Sequence, residues 1–182
     1  MCNSDRLPVD DPAFWKDRLL NVVARGEDLH KAVWNTDHSS WVANNEECRR
    51  ILTGLLPRGC RLLDAGCGLG GLVPYLPQEV AYTGVDLSPE FLELARLRYP
   101  TRTFVLARLD SLPFPEGHFE VAVVRSVKKM VVDNLGRQHW EPLQHEILRV
   151  ADRMVVLEYD EANLYEIINT WRHVGAPEGV GG

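Results

Sequence analysis

The chain has 182 residues, of which 45% are hydrophobic and 25% are charged. This length suits one domain with a sizeable core, and the composition is that of a globular protein. The net charge of −6 argues against a general nucleic-acid binder, which needs a basic surface. No apolar run is long enough to cross a bilayer, and the first residues do not read as a secretory signal. The sequence therefore predicts a cytoplasmic protein that binds neither nucleic acid nor membranes.

The cysteines and histidines show no metal-binding or disulfide pattern. His139 and His145 are six residues apart, which would place them on different faces of a helix. Irregularly spaced cysteines without a C-x-x-C pair are typical of a reducing compartment. They are Cys2, Cys48, Cys60 and Cys67. We predict no metal site.

Residues 1–57 are predicted to form a helical cap or lid. Residues 34–41 lack a period and are predicted to be a loop. Two roles are open for Trp34 and Trp41: they could close over a ligand, or pack in a core or an interface. The residues alone favour packing by about two to one. Apolar residues recur at helical spacing on either side of that loop, at Trp15, Leu19, Val22 and Val23, then at Cys48, Ile51, Leu52 and Leu55.

From residue 58 to residue 182, short apolar runs alternate with helical patterns. Ser88 and Pro89 can start a helix after the second run. Leu143, Ile147, Leu148 and Ala151 indicate another helix between the last two runs. The alternation predicts one α/β domain with a Rossmann-like, mainly parallel sheet of about five strands and helices on both faces. The predicted strands are 61–65, 81–86, 103–107, 119–124 and 153–159.

A glycine-rich loop follows the first predicted strand directly. Gly66-x-Gly68-x-Gly70-Gly71 would let the backbone turn tightly and approach a ligand, and the helix expected next would present its free N–H groups. Asp86 follows Gly66 by twenty residues and ends the second strand. A carboxylate in that place can bind the ribose hydroxyls of an adenosine group.

Asp64 distinguishes between two classes of cofactor that fit this loop. The glycines also satisfy the fingerprint of dinucleotide-binding proteins. A carboxylate two residues before the first glycine would repel a pyrophosphate, by more than ~1 kcal/mol at a low effective dielectric constant. S-adenosylmethionine instead carries a sulfonium and an ammonium group, which a nearby carboxylate attracts. Asp64 therefore favours S-adenosylmethionine over a nicotinamide dinucleotide.

The sequence resembles the class I S-adenosylmethionine-dependent methyltransferases over roughly residues 58–159. Residues 62–70 (LLDAGCGLG) match the first motif of that family and residues 82–96 (YTGVDLSPEFLELAR) match the second. Residues 106–127 resemble the third and fourth motifs, and residues 146–159 resemble the fifth strand with the helix before it. The resemblance implies methyl transfer to an oxygen, nitrogen or sulfur atom of a small molecule, with S-adenosylhomocysteine as product. No residue stands out as a catalytic base.

The resemblance also implies a set of cofactor-binding residues. The residues that would line the methionine part of the cofactor are Asp64, Gly66, Gly68 and Gly70. Asp86 would hold the ribose, and Leu87 would lie against the adenine. Asp110 would bind the adenine amino group, although on the residues alone a turn role for Asp110 is equally favoured. Arg125 and Ser126 would lie near the methionine part and face the acceptor. The full set is Asp64, Gly66, Cys67, Gly68, Gly70, Asp86, Leu87, Asp110, Ser111, Leu112, Arg125 and Ser126, in which Cys67 reads as a small packing residue rather than a nucleophile.

The chain departs from the family after Tyr159. Family members usually continue with a sixth and a seventh strand, whereas here Leu164, Ile167, Ile168 and Trp171 recur at helical spacing and predict one helix. Without that strand pair, the fifth strand would have an open apolar edge at residues 154–157. Since open edges pair or must be covered, we expect the helix or a second chain to cover it, the latter giving a homodimer.

A second hypothesis on function comes from the same departure. A methyltransferase fold that lacks a strand pair and an evident base could be a cofactor-binding or partner-stabilising module without catalysis. Methyl transfer to any acceptor separates the two hypotheses.

Overall fold

The fold was analysed in a computed structural model that describes residues 6–34, 37–159 and 164–171. The helices are α1 (Pro12–Ala24), α2 (His30–Val33), α3 (His38–Leu55), α4 (Pro89–Arg98), α5 (Val127–Leu135) and α6 (Arg137–Val150). The strands are β1 (Arg61–Ala65), β2 (Ala81–Asp86), β3 (Thr103–Leu106), β4 (Val121–Arg125), β5 (Arg153–Tyr159) and β6 (Leu164–Trp171). None of the helices in these ranges is long and apolar enough to span a bilayer.

The six strands form one sheet in the order β3-β2-β1-β4-β5-β6. The first five strands are parallel, which confirms the predicted Rossmann-like α/β fold. The chain runs outward from β1 to β2 and β3, then returns to place β4 on the other side of β1. The carboxyl ends of β1 and β4 therefore diverge at a topological switch point, where such sheets bind their ligands.

Apolar side chains on the two faces of the sheet form separate parts of the core. Leu62 and Val123 pack on the face covered by α3 and α4, and Leu63 and Val124 pack on the face covered by α5 and α6. Strands buried on both faces explain why β1 and β4 read as nearly continuous apolar runs.

Side-chain caps place the beginnings of two helices. Ser88 Oγ accepts a hydrogen bond from the N–H of Phe91 at 3.3 Å, so α4 begins at Pro89 as predicted. Asp37 Oδ1 accepts from the N–H of Ser40 at 2.9 Å, and α3 therefore begins at His38. The predicted loop at residues 34–41 is wrong in its second half, because Trp41 lies on α3.

The α-helix expected after the glycine loop is absent from the described structure. Between β1 and β2 the chain forms only a short 3₁₀ turn at Val73–Tyr75. Pro74 lies in the first turn, where proline is tolerated, whereas Pro77 lacks the amide hydrogen that a further turn would need. The space beside the glycine loop is therefore lined by this turn rather than by a helix.

The predicted C-terminal helix is wrong, because residues 164–171 form the strand β6. It pairs antiparallel with β5, with Met154 opposite Thr170 and Val156 opposite Ile168. Tyrosine, isoleucine and threonine favour strands, and pairing satisfies the backbone groups of β5 that would otherwise lie open. One antiparallel strand is thus present where we expected none. The argument for a homodimer from an open β5 edge does not hold.

The remaining predicted strands differ from the observed ones by one or two residues. β3 ends at Leu106, and β4 begins at Val121, while Phe119 makes an isolated parallel bridge to Ala151. Ala151 caps α6 rather than belonging to it.

Candidate cofactor site

The glycine loop after β1 adopts a backbone conformation that only glycine enters freely. Gly66, Gly68 and Gly70 have φ angles of +82°, +52° and +74°. The N–H groups of Gly66 and Cys67 both donate to Val85 O, at 2.8 and 2.9 Å, which anchors the loop to β2. A Cβ atom on Gly66 would lie 2.5 Å from Val127 Cγ2. The loop therefore needs glycine at position 66, both for its conformation and for its contact with α5.

Asp86 ends β2 with its carboxylate held by two backbone donors. Its Oδ2 accepts from the N–H of Gly68 at 2.8 Å and its Oδ1 accepts from the N–H of Ser88 at 2.9 Å. Burial raises the pKa of Asp86, and these two donors oppose that shift. The side chain is partly exposed. It can therefore accept hydrogen bonds from hydroxyl groups of a ligand.

A cavity of about 280 Å³, here called the loop cleft, opens above the glycine loop at the switch point. Its volume is close to the lower end of the range for small-molecule sites. Residues of the predicted set contribute its polar floor, and α1 with the residues around it covers the opposite side through Phe14 and Trp15. The predicted residues that line the cleft are Gly66, Gly68, Asp86, Leu87, Arg125 and Ser126.

Three of the residues predicted to lie beside the adenine, Asp110, Ser111 and Leu112, do not line the loop cleft, whereas Leu87 does. The Asp110 carboxylate is exposed and pairs with the Arg108 guanidinium, with Oδ2 3.0 Å from Nη2. Ser111 is exposed as well, and Leu112 is buried with its N–H donating to Glu146. Ala107 and Leu109 line the cleft instead, together with Leu87 and Phe91. The sequence analysis missed Ala107 and Leu109 because it looked for a polar adenine contact in this loop.

Asp64 lies beneath the loop and does not line the cleft. Its side chain is buried, and its Oδ2 accepts a hydrogen bond from the hydroxyl of Tyr82 at 2.8 Å. Burial raises the pKa of Asp64 to about 6, while the positive charge of Arg125 opposes the shift. Asp64 therefore makes no direct contact with the cleft, and it can influence a ligand there only through the electrostatic effect of its carboxylate.

The buried thiol of Cys67 fits the packing role. Burial raises the pKa of this thiol well above its ordinary value, so it is not a reactive thiolate. Its Sγ packs closely on Gly84, since a Cβ atom added to Gly84 would lie only 2.8 Å from this sulfur. Gly70, likewise outside the loop cleft, packs closely on Tyr99.

Arg125 connects the end of β4 to the predicted helical cap, through Trp34 and Asn45. Its guanidinium carbon lies 5.2 Å from the centre of the Trp34 ring, and its Nη1 donates to Oδ1 of Asn45. Asn45 lies on α3 and is fully buried. The sequence analysis did not single out Asn45, because a polar residue within an amphipathic helix normally faces solvent.

Ser126 is the one non-glycine residue with a positive φ in the described ranges. Its φ of 58° and ψ of 16° cost a residue with a side chain about 1–2 kcal/mol. The N–H of Ser126 donates to Leu157 O at 2.9 Å, which holds this conformation between β4 and α5. Strained residues of this kind concentrate at functional sites.

A second cavity of about 770 Å³, here called the outer cavity, lies on the far side of Trp34. It occupies the space beside the 3₁₀ turn where a helix was expected. Aromatic side chains from four segments line it: Trp34, Trp41, Tyr75 and Tyr99. Val33, Trp34 and Arg125 line both cavities, so the two cavities adjoin at these three side chains.

Residues 63–154 match the protein family described as a methyltransferase domain, and the chain belongs to this family. The resemblance seen in the sequence is therefore confirmed, and with it S-adenosylmethionine as the cofactor of the family.

Two curated relatives are similar to part of the chain. It is 29% identical over 115 residues to the ubiquinone/menaquinone biosynthesis C-methyltransferase UbiE of Geobacter sp. (strain M21), covering 57% of this chain and 47% of that protein. It is 30% identical over 121 residues to the demethylmenaquinone methyltransferase of Chlorobaculum tepidum, covering 65% and 46%. The chain thus spans about half the length of these curated relatives.

Solved structures agree with the fold. A TehB-like S-adenosylmethionine-dependent methyltransferase from Corynebacterium glutamicum superposes with a TM-score of 0.54 and 27% identity. The match covers 81% of this chain and 73% of that one.

Proposed function

We propose that this chain binds S-adenosylmethionine in the loop cleft and transfers its methyl group to a small molecule held in the outer cavity. The observation that carries the proposal is the carboxylate of Asp86, fixed by the N–H groups of Gly68 and Ser88 beside a left-handed glycine loop. Asp86 would accept hydrogen bonds from the ribose hydroxyls.

The residues of the loop cleft fit the chemical groups of this cofactor. The apolar side chains of Leu87, Phe91 and Leu109 would pack on the adenine ring. Gly66 and Gly68 allow the backbone to approach the ligand without a side chain between them. Asp64 and Asp86 supply negative charge near the place of the sulfonium and ammonium groups. These carboxylates and apolar side chains thus suit a positively charged adenosine ligand better than a ligand with a pyrophosphate group.

The protein's contribution to methyl transfer would be alignment and exclusion of water. The cofactor supplies a methyl group activated by the positive charge on its sulfur. Residues 1–57, proposed to be a cap, bring Val33 and Trp34 over the loop, and Arg125 holds Trp34 in place. Fixing the donor and acceptor in line accounts for much of the rate of such a displacement. We assign no catalytic base.

The outer cavity favours a flat, aromatic acceptor. Trp34, Trp41, Tyr75 and Tyr99 offer ring faces and edges on which such a molecule can stack. Of the two relatives reported above, one is named as a ubiquinone/menaquinone biosynthesis C-methyltransferase and the other as a demethylmenaquinone methyltransferase. We therefore add carbon to oxygen, nitrogen and sulfur as possible acceptor atoms.

Titration calorimetry with S-adenosylmethionine and S-adenosylhomocysteine tests the proposal. Replacing Asp86→Ala should weaken binding by ~1.5–3 kcal/mol, which is about 10- to 150-fold, because charge-assisted contacts to the ribose are lost. Asp110→Ala is the matched control, since the exposed Asp110 carboxylate does not line the cleft, and we expect its affinity to match the wild type. An unchanged affinity in folded Asp86→Ala would contradict this placement of the site.

The same protein preparations test catalysis. Wild-type protein that binds the cofactor but methylates none of a panel of quinones, phenols and thiols would favour the hypothesis of a module without catalysis. The presence of β6 removes one of the two reasons for that hypothesis.

The proposal also includes a homodimer and a cytoplasmic location. A homodimer now has to use a surface other than an open β5, and sedimentation of the purified chain tests it. The cytoplasmic location rests on the composition alone.

A further inference from the structure

We propose that Asp28, His30 and His38 form a binding site for a transition-metal ion of the Zn²⁺ type in the wall of the outer cavity. Oδ2 of Asp28 lies 3.5 Å from Nδ1 of His38 and 4.0 Å from Nδ1 of His30. One ligand atom from each residue lies within 4.8 Å of the other two. Two imidazoles thus converge on one carboxylate oxygen.

These distances are close to those of a metal centre. Ligand atoms at the usual 2.0–2.1 Å from a tetrahedral zinc ion are about 3.3 Å apart. The observed separations of 3.5 and 4.0 Å need only small side-chain rotations to reach that value. Two imidazoles with one carboxylate favour zinc, cobalt or nickel over magnesium and calcium, which prefer oxygen ligands.

The fold brings the three side chains together from two helices. Asp28 precedes α2, His30 begins α2, and His38 begins α3. The Trp41 ring stacks on His30, with centroids 5.1 Å apart and planes at 25°. No side chain caps α2, so helix capping does not explain the position of the Asp28 carboxylate. The cluster is therefore not accounted for by local helix chemistry.

The position of the cluster gives the metal access to small molecules. All three residues line the outer cavity, which also contains Trp34 and Arg125. Three protein ligands leave the fourth tetrahedral position open, as in zinc sites that bind water or substrate. A bound ion would also tie the beginning of α2 to the beginning of α3. The site would therefore brace the cap and offer a Lewis acid to a donor atom in the cavity.

Metal titration of the full, untagged chain tests this site. Co²⁺ is added to metal-free protein and followed by its visible absorption, and Zn²⁺ is added in a calorimeter. We expect one equivalent of either ion to bind, with at least a tenfold loss of affinity in His38→Ala and in Asp28→Asn. His145→Ala is the matched control, because His145 is exposed on α6, and it should keep the wild-type affinity. Zn²⁺ should raise the melting temperature of the wild type but not of His38→Ala.

Three results would overturn the site. They are the absence of saturable binding near one equivalent, wild-type affinity in both His38→Ala and Asp28→Asn, and an intense sulfur-to-cobalt charge-transfer band, which would place the ion on a cysteine. Far-ultraviolet circular dichroism of each variant, compared with the wild type, confirms that it is folded. Because metal is titrated without cofactor, failure of the metal site and failure of the proposed methyl transfer give different results.

Discussion

The guanidinium of Arg125 lies 5.2 Å from the centre of the Trp34 ring while its Nη1 donates a hydrogen bond to Oδ1 of Asn45. Trp34 follows α2 and Asn45 lies on α3, so one side chain at the end of β4 holds both parts of the cap. An arginine can do this because its planar group stacks on a ring and donates in its plane at the same time. The cap is thereby fixed to the switch point of the sheet.

Replacing Arg125→Met should loosen the cap and destabilise the fold. The change leaves the buried Oδ1 of Asn45 without this donor, at an expected loss of about 1–3 kcal/mol in the free energy of unfolding. Urea denaturation measures the loss, and limited proteolysis should cut the chain faster before residue 55. Arg98→Met is the control, because the exposed Arg98 guanidinium lies over Tyr99 at 5.7 Å and holds no buried partner, so we expect a change within about 0.5 kcal/mol. Equal stability of the two variants would argue against this role of Arg125.

Gly66→Ala should be strongly destabilising and Gly54→Ala should not. At Gly66 a side chain meets both a φ of +82° and a contact of 2.5 Å with Val127, which together cost about 2–5 kcal/mol. Adding Val127→Ala should recover the steric part but not the backbone part, as a double-mutant cycle would show. Gly54 lies in α3 with no atom within 4 Å of a new Cβ, so alanine there should stabilise by about 0.5–1 kcal/mol. Additive effects of Gly66→Ala and Val127→Ala would contradict the contact.

The stability of the protein should fall as the pH rises from about 4 to about 6, partly because of Asp64. Its pKa is about 6 in the folded state against 3.8 in the unfolded chain, so the folded protein keeps a proton that the unfolded chain releases. The stabilisation is complete below pH 3.8 and is lost as the pH passes about 6, a change of about 3 kcal/mol. Urea denaturation of the wild type and of Asp64→Asn at each pH measures this change. Asp86, whose pKa is also raised, contributes to both proteins, so its effect cancels in the difference between their free energies of unfolding.

The asparagine variant should show a flatter pH dependence than the wild type. Asp110→Asn is the control, because the Asp110 carboxylate is exposed and pairs with Arg108. Its stability should depend on pH as the stability of the wild type does. Parallel curves for wild type and Asp64→Asn would mean that Asp64 is ionised at the same pH in both states.

The parallel part of the fold was readable from the sequence for a physical reason. β1, β2 and β5 match their predicted bounds. Apolar side chains dominate β1 and β5, as is expected of strands buried on both faces. β6 was not readable, since the spacing of Leu164, Ile167, Ile168 and Trp171 also suits a helix. Pairing with β5 decides between the two, and a partner at a distance leaves no mark on a local pattern.

The candidate site was predictable where it depends on the backbone and unpredictable where it depends on loop geometry. Gly66, Gly68 and Asp86 follow directly from strand ends, and they line the loop cleft. The turn after β3 can present either Leu109 or Asp110 to the cleft, and residue types do not decide which. The Asp28, His30 and His38 cluster is assembled by helix packing, so its spacing along the chain matches no local motif.

The 3₁₀ turn at Val73–Tyr75 contributes to the outer cavity but makes none of the contacts that hold the glycine loop to β2. The hydrogen bonds that anchor Gly66 and Cys67 to Val85 join residues on either side of this turn, and none of them is made by its residues. Tyr75 and Pro74, by contrast, line the outer cavity. Substitution of Tyr75 can therefore reshape the outer cavity while these hydrogen bonds stay in place, whereas Leu72, Val73, Leu76 and Val80 are buried in the core. This short connection is where we would begin to change the shape of the outer cavity.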